Sequence, residues 1–439
     1  MISELKLCLI GDIVVDVTLK TSFQDTKLRL GGIIHAARCL WALNIPFSVG
    51  YYAPAYLDAQ IIKYLNSLGC YDIIKLGNIT GAPYVFLIEE IKEVGDQGYE
   101  FLLRDEIVLD VDAASVERLI QANFTEYLLI SGNYNSSELI NCLSGNIHLD
   151  VANNIKDFSE LQSLNKKLSS VFVSTSSDIF KSYYKSDFSI FSTLFQDYAE
   201  RLILKENRGG SRGIEFKKQE IISVPAQTRP IVHSVGVGDV YNASFVSHYK
   251  ANDFQKSLVL SSWIAAEYAS TTYPDDFKTG VTRIISSDLK DLVSLGGVSL
   301  PWEARESINI YIAAPDFEFV DTKPIDKLES SLQYHNFKPR RPVRENGQME
   351  KDASKKRKQE LFSKDMALFA ECSILVAVLL YDDPGTLIEI GLAAAIGMPT
   401  IIYDPYQRAA NCMLTELPTL VSHDLDEIIS EVFIRSANL

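Results

Sequence analysis

Asp382-Asp383-Pro384-Gly385-Thr386-Leu387-Ile388-Glu389-Ile390-Gly391 is the stretch from which the second half of this chain can be read. It follows the apolar run Ile374 to Leu380, which reads as a strand buried on both faces. After it, Leu387 to Ile396 forms a good helix, closed by Gly397 and followed by Pro399. Asp-Asp-Pro-Gly-Thr is therefore expected to be a strand-to-helix turn at the carboxyl edge of a parallel sheet, where α/β proteins place their ligands. Glu389 falls in the first helical turn or just beyond it, where the helix dipole favours the carboxylate. An ionised, positioned carboxylate is what a covalent glycosyl intermediate requires of its nucleophile. The plainer alternative is an ordinary strand-turn-helix with an exposed Glu.

The segment resembles the nucleoside 2-deoxyribosyltransferase family, whose signature is an Asp, a Gly-Thr pair and a nucleophilic Glu followed by a Gly. Here these are Asp383, Gly385, Thr386, Glu389 and Gly391. Ile308 to Phe317 looks like the opening strand and first substrate loop of that family, and Ser363-Lys364-Asp365 like its helix-borne Asp. The resemblance covers roughly the last 130 residues, about one small domain. It implies a flavodoxin-like parallel α/β domain in which Glu389 is the nucleophile. Asp383 and Asp365 serve leaving-base protonation or sugar positioning, Tyr311 packs against or bonds to Glu389, and Gly385 and Thr386 face the substrate. It also implies a site completed by a neighbouring subunit, hence a homo-oligomer.

At 439 residues the chain should hold two or three domains. Its 47% hydrophobic and 23% charged content is that of a globular protein with a sizeable core. A net charge of −15 argues against sequence-independent nucleic-acid binding, which runs on Lys and Arg neutralising phosphates. The six cysteines are scattered with no C-x-x-C pair, which suggests reduced thiols and a cytoplasmic protein rather than a disulfide framework or zinc site. No apolar run reaches the ~20 residues of a membrane span, so no membrane partner is expected. Met1 to Lys6 runs directly into a strand and does not read as a signal peptide.

Taken in order, Leu7 to Val17 reads as a buried strand followed by a turn carrying two acids, Asp12 and Asp16. Gly31-Gly32 opens a helix from Ile33 to Leu43, and Ile45 to Gly50 supplies the next strand of a parallel sheet. Thr18 to Leu30, Tyr84 to Ile88 and Tyr99 to Leu103, the last two about a hairpin at Gly95 to Gly98, are expected to form a small β-lid. Strands then follow at Tyr127–Ile130, Ile147–Asp150, Ser170–Val173 and Arg201–Leu204.

The second chemically loaded stretch is His233-Ser234-Val235-Gly236-Val237-Gly238-Asp239. Its glycines let backbone N–H groups cradle an anion, and Asp239 starts a helix whose N-terminus points at the same place. A carboxylate beside an anion hole suits proton removal from a hydroxyl that attacks a phosphoryl group. A simple helix cap by Asp239 is the plainer reading.

Residues 1 to about 300 resemble the ribokinase-like (PfkB) family of carbohydrate and nucleoside kinases, with matches in family order. Asp16 sits where the family holds sugar hydroxyls, Gly31-Gly32 matches its di-glycine loop, and Asp150-Val151-Ala152-Asn153 its Asp-x-x-Asn. Lys205 to Gly210 lies at the expected Gly-rich nucleotide loop, and Gly236, Gly238 and Asp239 match the anion hole and base. The resemblance implies an α/β/α sandwich with a β-lid, and ATP with Mg²⁺ as donor. His35 and His233 stand where the family has Asn and Asp, and Val14 replaces a frequent polar contact. Either His reads as a ligand or acid–base group, or as a hydrogen-bonded structural residue. Thr175-Ser176-Ser177-Asp178 replaces the Asn-x-x-Glu that organises Mg²⁺, leaving Asp178 as the metal-side acid.

Pro301 to Glu306 reads as a short linker between residues 1–300 and 301–439. Lys338 to Gly347 reads as an arginine-rich loop from which Arg341 or a neighbour orders substrate or a 5′-phosphate, or else as a solvated basic face. The Lys355-Lys356-Arg357-Lys358 run falls at what should be the start of a helix, whose dipole its charges oppose, and is expected in a mobile segment. The combined expectation is a bifunctional enzyme acting on nucleosides or nucleotides. Its alternatives are a ligand-sensing or scaffolding pseudokinase joined to an active glycosyl domain, and a wholly non-catalytic nucleotide-binding regulator.

Overall fold

The computed structural model describes residues 6–20, 25–81, 83–89, 92–97, 99–102, 106–152, 154–250, 253–350 and 352–439. Asn153, Gly98 and Leu103 from the sequence reading, with Met1 to Leu5, lie outside them. The chain divides into two compact units, Met1–Lys92 with Gln97–Ser299, and Glu93–Asp96 with Leu300–Leu439.

The first unit is built on a ten-stranded sheet. Its middle is parallel, running from Arg201–Lys205 through Ser170–Ser174, Asn146–Asp150, Glu126–Ile130, Leu7–Asp12 and Phe47–Ala53 to Ile73–Thr80. Antiparallel strands close both edges. Leu7–Asp12 is fed on one side by Phe47–Ala53 and on the other by Glu126–Ile130. The strand order reverses there, and ligands of open α/β sheets bind at the carboxyl ends of such strands. Leu7, Cys8, Leu9 and Ile10 are all buried, as a strand covered on both faces requires.

The first strand, Leu7–Asp12, ends in a turn as expected, but the chain then enters a second strand, and Val15–Thr18 joins a separate four-stranded sheet with Lys27–Leu30, Val85–Ile88 and Tyr99–Phe101. This is the small β-lid, with Val15–Thr18 pairing parallel to Val85–Ile88 and antiparallel to Lys27–Leu30.

The second unit has an all-parallel sheet in the order Lys338–Arg340, Asn309–Ala313, Ile374–Val378, Thr400–Tyr403, Leu420–Ser422. Numbered along the chain this is 2-1-3-4-5, the flavodoxin-like order. All five residues of Ile374–Val378 are fully buried at its centre. The helix that follows spans Pro384–Ala395, three residues earlier than the apolar pattern implies. Proline at its first position has no N–H to lose, Asp383 caps it, and Gly397 at φ +76° ends it.

The stretch read as a short linker is itself structured: Trp302–Arg305 is helical, and Arg305 is fully buried against Trp302 and Phe433, donating to the carbonyl of Leu300. The arginine-rich stretch is not a loop but the strand Lys338–Arg340 and the helix Pro342–Asn346. The Lys355–Lys358 run forms the first turn of the helix Lys355–Ala370, at the helix start where the sequence places it, and Ser354 caps that helix through the Arg357 N–H. Among the described residues, no helix is long and apolar enough to cross a membrane.

Candidate functional site

Each unit gathers its candidate residues at the carboxyl edge of its own parallel sheet. In the second unit, Glu389 lies in the second turn of the helix Pro384–Ala395, half-buried. Tyr311, on the neighbouring strand and 1% exposed, donates its hydroxyl to Glu389 Oε1 at 2.7 Å. The Tyr311 ring is held edge-on by Phe369 at 5.1 Å. Burial pushes the Glu389 carboxyl up to about 7, helped by the charges of Asp365 and Asp383 and opposed by the Tyr311 hydrogen bond. The helix dipole does not decide its ionisation, since that effect fades beyond the first turn.

Asp383 Oδ2 accepts from the Thr386 N–H at 2.8 Å and the Thr386 hydroxyl at 2.9 Å. Thr386 is 1% exposed and so shapes the turn rather than lining an open pocket, whereas Gly385 is exposed at the helix start. Asp365 comes from the helix Lys355–Ala370 and is held by Asn346 Nδ2 at 2.8 Å. Arg341 is 3% exposed and is the hub of an ion-pair cluster. It pairs with both oxygens of Asp316, with Asp326 at 2.6 Å and with Glu329 at 2.8 Å. Its charge is thereby met within the protein rather than offered to a ligand.

In the first unit, Asp16 is buried at the start of the lid, 3.1 Å from His35 Nε2 and 3.7 Å from Arg29 Nε. Glycine is required at 31 because a Cβ there would stand 2.2 Å from Asp16 Oδ2. His35 is also bonded through Nδ1 to Tyr268 Oη at 2.7 Å, and burial pulls it down to about 4, so it is neutral. His233 is neutral for the same reason and binds the Thr271 carbonyl at 3.0 Å. Both histidines are buried and hydrogen-bonded within the protein.

Gly236, at φ +78°, is the residue before the helix Val237–His248, and a Cβ on it would lie 2.1 Å from His35 Cγ. Asp239 sits in the first turn of that helix, partly open. Burial and the nearby Asp150 push it up to about 8, with Lys205 pulling the other way. Lys205 ends its strand with Nζ 2.8 Å from Asp150 Oδ2, and 3.3 Å from where a Gly238 Cβ would project. Asn242 completes this group, contacting both Lys205 Nζ at 3.2 Å and Asp150. Gly210, at φ +103°, has a packing reason instead: a Cβ would meet the Val224 carbonyl at 2.4 Å. Asp178 opens a separate short helix, and among the described residues no three His, Cys, Asp or Glu side chains gather as metal ligands.

Sequence reasoning missed Asn242, Tyr268 and the group around Asp12. Asp12 Oδ2 accepts from the Tyr84 hydroxyl at 2.5 Å and the Asn133 N–H at 2.9 Å, where the strand order reverses. Asn242, one turn beyond Asp239, carried the only local signal of the three.

Residues 310–433 match the family model of nucleoside 2-deoxyribosyltransferase. No curated protein matches the chain. Among solved structures, the first unit is similar to the tetrameric inhibited form of phosphofructokinase-2 from Escherichia coli, at 11% identity and a TM-score of 0.48, over 64% of this chain and 99% of that one. Ribokinase from Thermotoga maritima gives 13% identity and a TM-score of 0.47, over 65% and 100%. Arabidopsis thaliana ribokinase complexed with ribose and ATP gives 12% and 0.45, over 64% and 99%. At these identities the likeness says nothing of activity.

Proposed function

We propose that this chain is a bifunctional nucleoside-processing enzyme, with glycosyl chemistry in the second unit and phosphoryl chemistry in the first. In the second unit Glu389 attacks the anomeric carbon of a (deoxy)ribonucleoside or its 5′-phosphate, and the base departs with a proton. A second base or water then resolves the glycosyl-enzyme. The observation that carries this reading is the Tyr311–Glu389 hydrogen bond, in a region that matches the deoxyribosyltransferase family model. Tyr311 holds one carboxyl oxygen and leaves the other to attack. The charges of Asp365 and Asp383 that raise the Glu389 pKa also favour the positive charge developing on the sugar. Ile388 and Ile396, 69% and 62% exposed on or at the end of the same helix, support a second copy of the chain against this face.

In the first unit Asp16 holds sugar hydroxyls, Asp239 removes a hydroxyl proton, and the amides at Gly236 and Gly238 stabilise the phosphoryl group. The amides at Gly236 and Gly238, with Lys205 Nζ 3.3 Å from where a Gly238 Cβ would project, would hold the terminal phosphates of ATP, which supplies the phosphoryl group when bound. Lys205, ion-paired with Asp150 at 2.8 Å, is a fixed positive charge beside the cradle. A second reading, a nucleoside-binding module without turnover, is favoured by Asp239 being protonated at neutral pH.

The test is incubation with a panel of nucleosides and 5′-nucleotides, with and without Mg²⁺-ATP, followed by product chromatography. Wild-type protein should release free base and Glu389→Gln should not. A slow 2-fluoro-nucleoside should leave a sugar adduct on the Glu389 peptide. Absence of base release by wild type, or an adduct elsewhere, refutes the glycosyl assignment. Nucleotide binding without product formation assigns the first unit to the second reading.

A further inference from the structure

We propose that the first unit carries a second ligand site, apart from the Asp239 cradle, which binds a nucleoside 5′-monophosphate. The site is a cleft of about 430 Å³ between the lid strand Lys27–Leu30, the helix Ile34–Ala42 and the segment 271–274. Small-molecule pockets are of this size, roughly 300–1,000 Å³. Asp16, Gly31, Gly236 and Asp239 do not line it.

Charge is the first argument. Lys27, Arg29 and Arg38 line the cleft and, among the described residues, no Asp or Glu does, in a chain whose net charge is −15. Arg29 is answered by Asp16 at 3.7 Å, but no acid among the described residues pairs with Arg38. Its Nε donates to Tyr64 Oη at 2.7 Å, its Nη1 to Tyr268 Oη at 3.3 Å and its Nη2 to the Leu30 carbonyl at 3.3 Å. The remaining neighbour is His35 Nδ1 at 3.4 Å from Nη1, on a neutral ring. Among the described residues, Arg38 therefore has only uncharged partners. A half-buried guanidinium without a counter-charge is unfavourable, and an anion entering the cleft supplies one. A phosphate monoester supplies that charge and can accept from the second Nη2 N–H, since each terminal guanidinium nitrogen carries two donors. Three neutral contacts already fix the guanidinium plane, so little ordering remains to be done on binding.

Shape gives the second argument. Tyr273 lines the cleft and is 70% exposed, leaving its ring free to stack on a planar base. A phosphate and a base on one small molecule match both ends of the site. Tyr268, which accepts from Arg38, is 2.7 Å from His35 Nδ1, and His35 Nε2 is 3.1 Å from Asp16. A ligand drawing on Arg38 thus reaches Asp16 through three hydrogen bonds. The inference rests on the cleft itself and stands whether or not the first unit transfers phosphoryl groups.

The test is isothermal titration of the full-length chain with AMP, UMP and inorganic phosphate in EDTA. Saturable binding of a monophosphate is expected, with inorganic phosphate at least about tenfold weaker because the base contact is missing. Lys27→Glu, on an exposed strand, and Tyr273→Ala should each weaken it about five- to tenfold, while Asp239→Asn leaves it unchanged. Arg38→Gln should weaken it more, and the exposed Lys27 variant decides the matter if that protein does not fold. Absence of monophosphate binding at about 1 mM overturns the proposal. So does binding that Lys205→Ala abolishes and Lys27→Glu spares, which places the ligand at the glycine cradle. Inorganic phosphate binding as tightly as AMP and UMP overturns the nucleotide assignment.

Discussion

Glu389→Gln should remove base release and, above neutral pH, make the second unit more stable. The carboxyl titrates at about 7 in the folded protein, against an ordinary 4.5. Between those values the folded state holds the proton more tightly than the unfolded chain. The stability this gives is fully present below pH 4.5 and is lost as pH rises through 7. The 2.5 pH units between the two values, at about 1.36 kcal/mol each, set an upper bound of about 3.4 kcal/mol on the loss. Glu389 is half-exposed to solvent screening, and glutamine also gives up a charge-assisted bond from Tyr311, so a gain of about 1–2 kcal/mol is expected above pH 8. For a unit of this size that corresponds to roughly 3–8 °C in the melting temperature. The assay is thermal unfolding of wild type and variant at pH 5 and pH 8.5. The two should melt together at the lower pH and separate at the higher. A variant less stable at pH 8.5, or a gap that widens on acidification, refutes the argument that burial and neighbouring acids raise this carboxyl.

Tyr311→Phe removes the hydrogen bond that lowers the Glu389 pKa, so the rise of kcat/KM with pH should move upward from about 7. Activity at pH 6.5 should fall about 10- to 100-fold and recover in part near pH 9, and an unshifted profile counts against the assignment. Asp239→Asn should remove ATP-dependent phosphorylation by about 10²-fold or more in a folded protein. In wild type that activity should climb with pH through about 8, where Asp239 loses its proton. Gly236→Ala places a Cβ 2.1 Å from His35 Cγ at φ +78°, and should destabilise the first unit by about 2–3 kcal/mol in urea unfolding. A neutral result would mean that His35 has room to move.

The parts of this protein legible in its sequence are those governed by neighbours along the chain. The buried strand Ile374–Val378, the capped turn at Asp383 and the stop at Gly397 all follow from local pattern. So does the Tyr311–Glu389 pairing, once a family resemblance aligns two distant segments. The ionisation of Glu389 was not legible, because Asp365 reaches it from another helix and the dipole acts only over one turn. Arg341 looked available for a phosphate because its partners Asp316, Asp326 and Glu329 are dispersed in the sequence. His35 and His233 could not be assigned before their burial was known, since solvation decides whether an imidazole carries charge.

The space beside Gly236 is filled by the protein's own histidine. That gives the residue a reason to stay glycine that is independent of any phosphate. Were phosphoryl transfer lost in a descendant of this chain, folding alone would still forbid a side chain at that position, and most of the motif would outlive its chemistry. Asp239, which no packing constraint of that kind protects, is the position at which such a history would be written first.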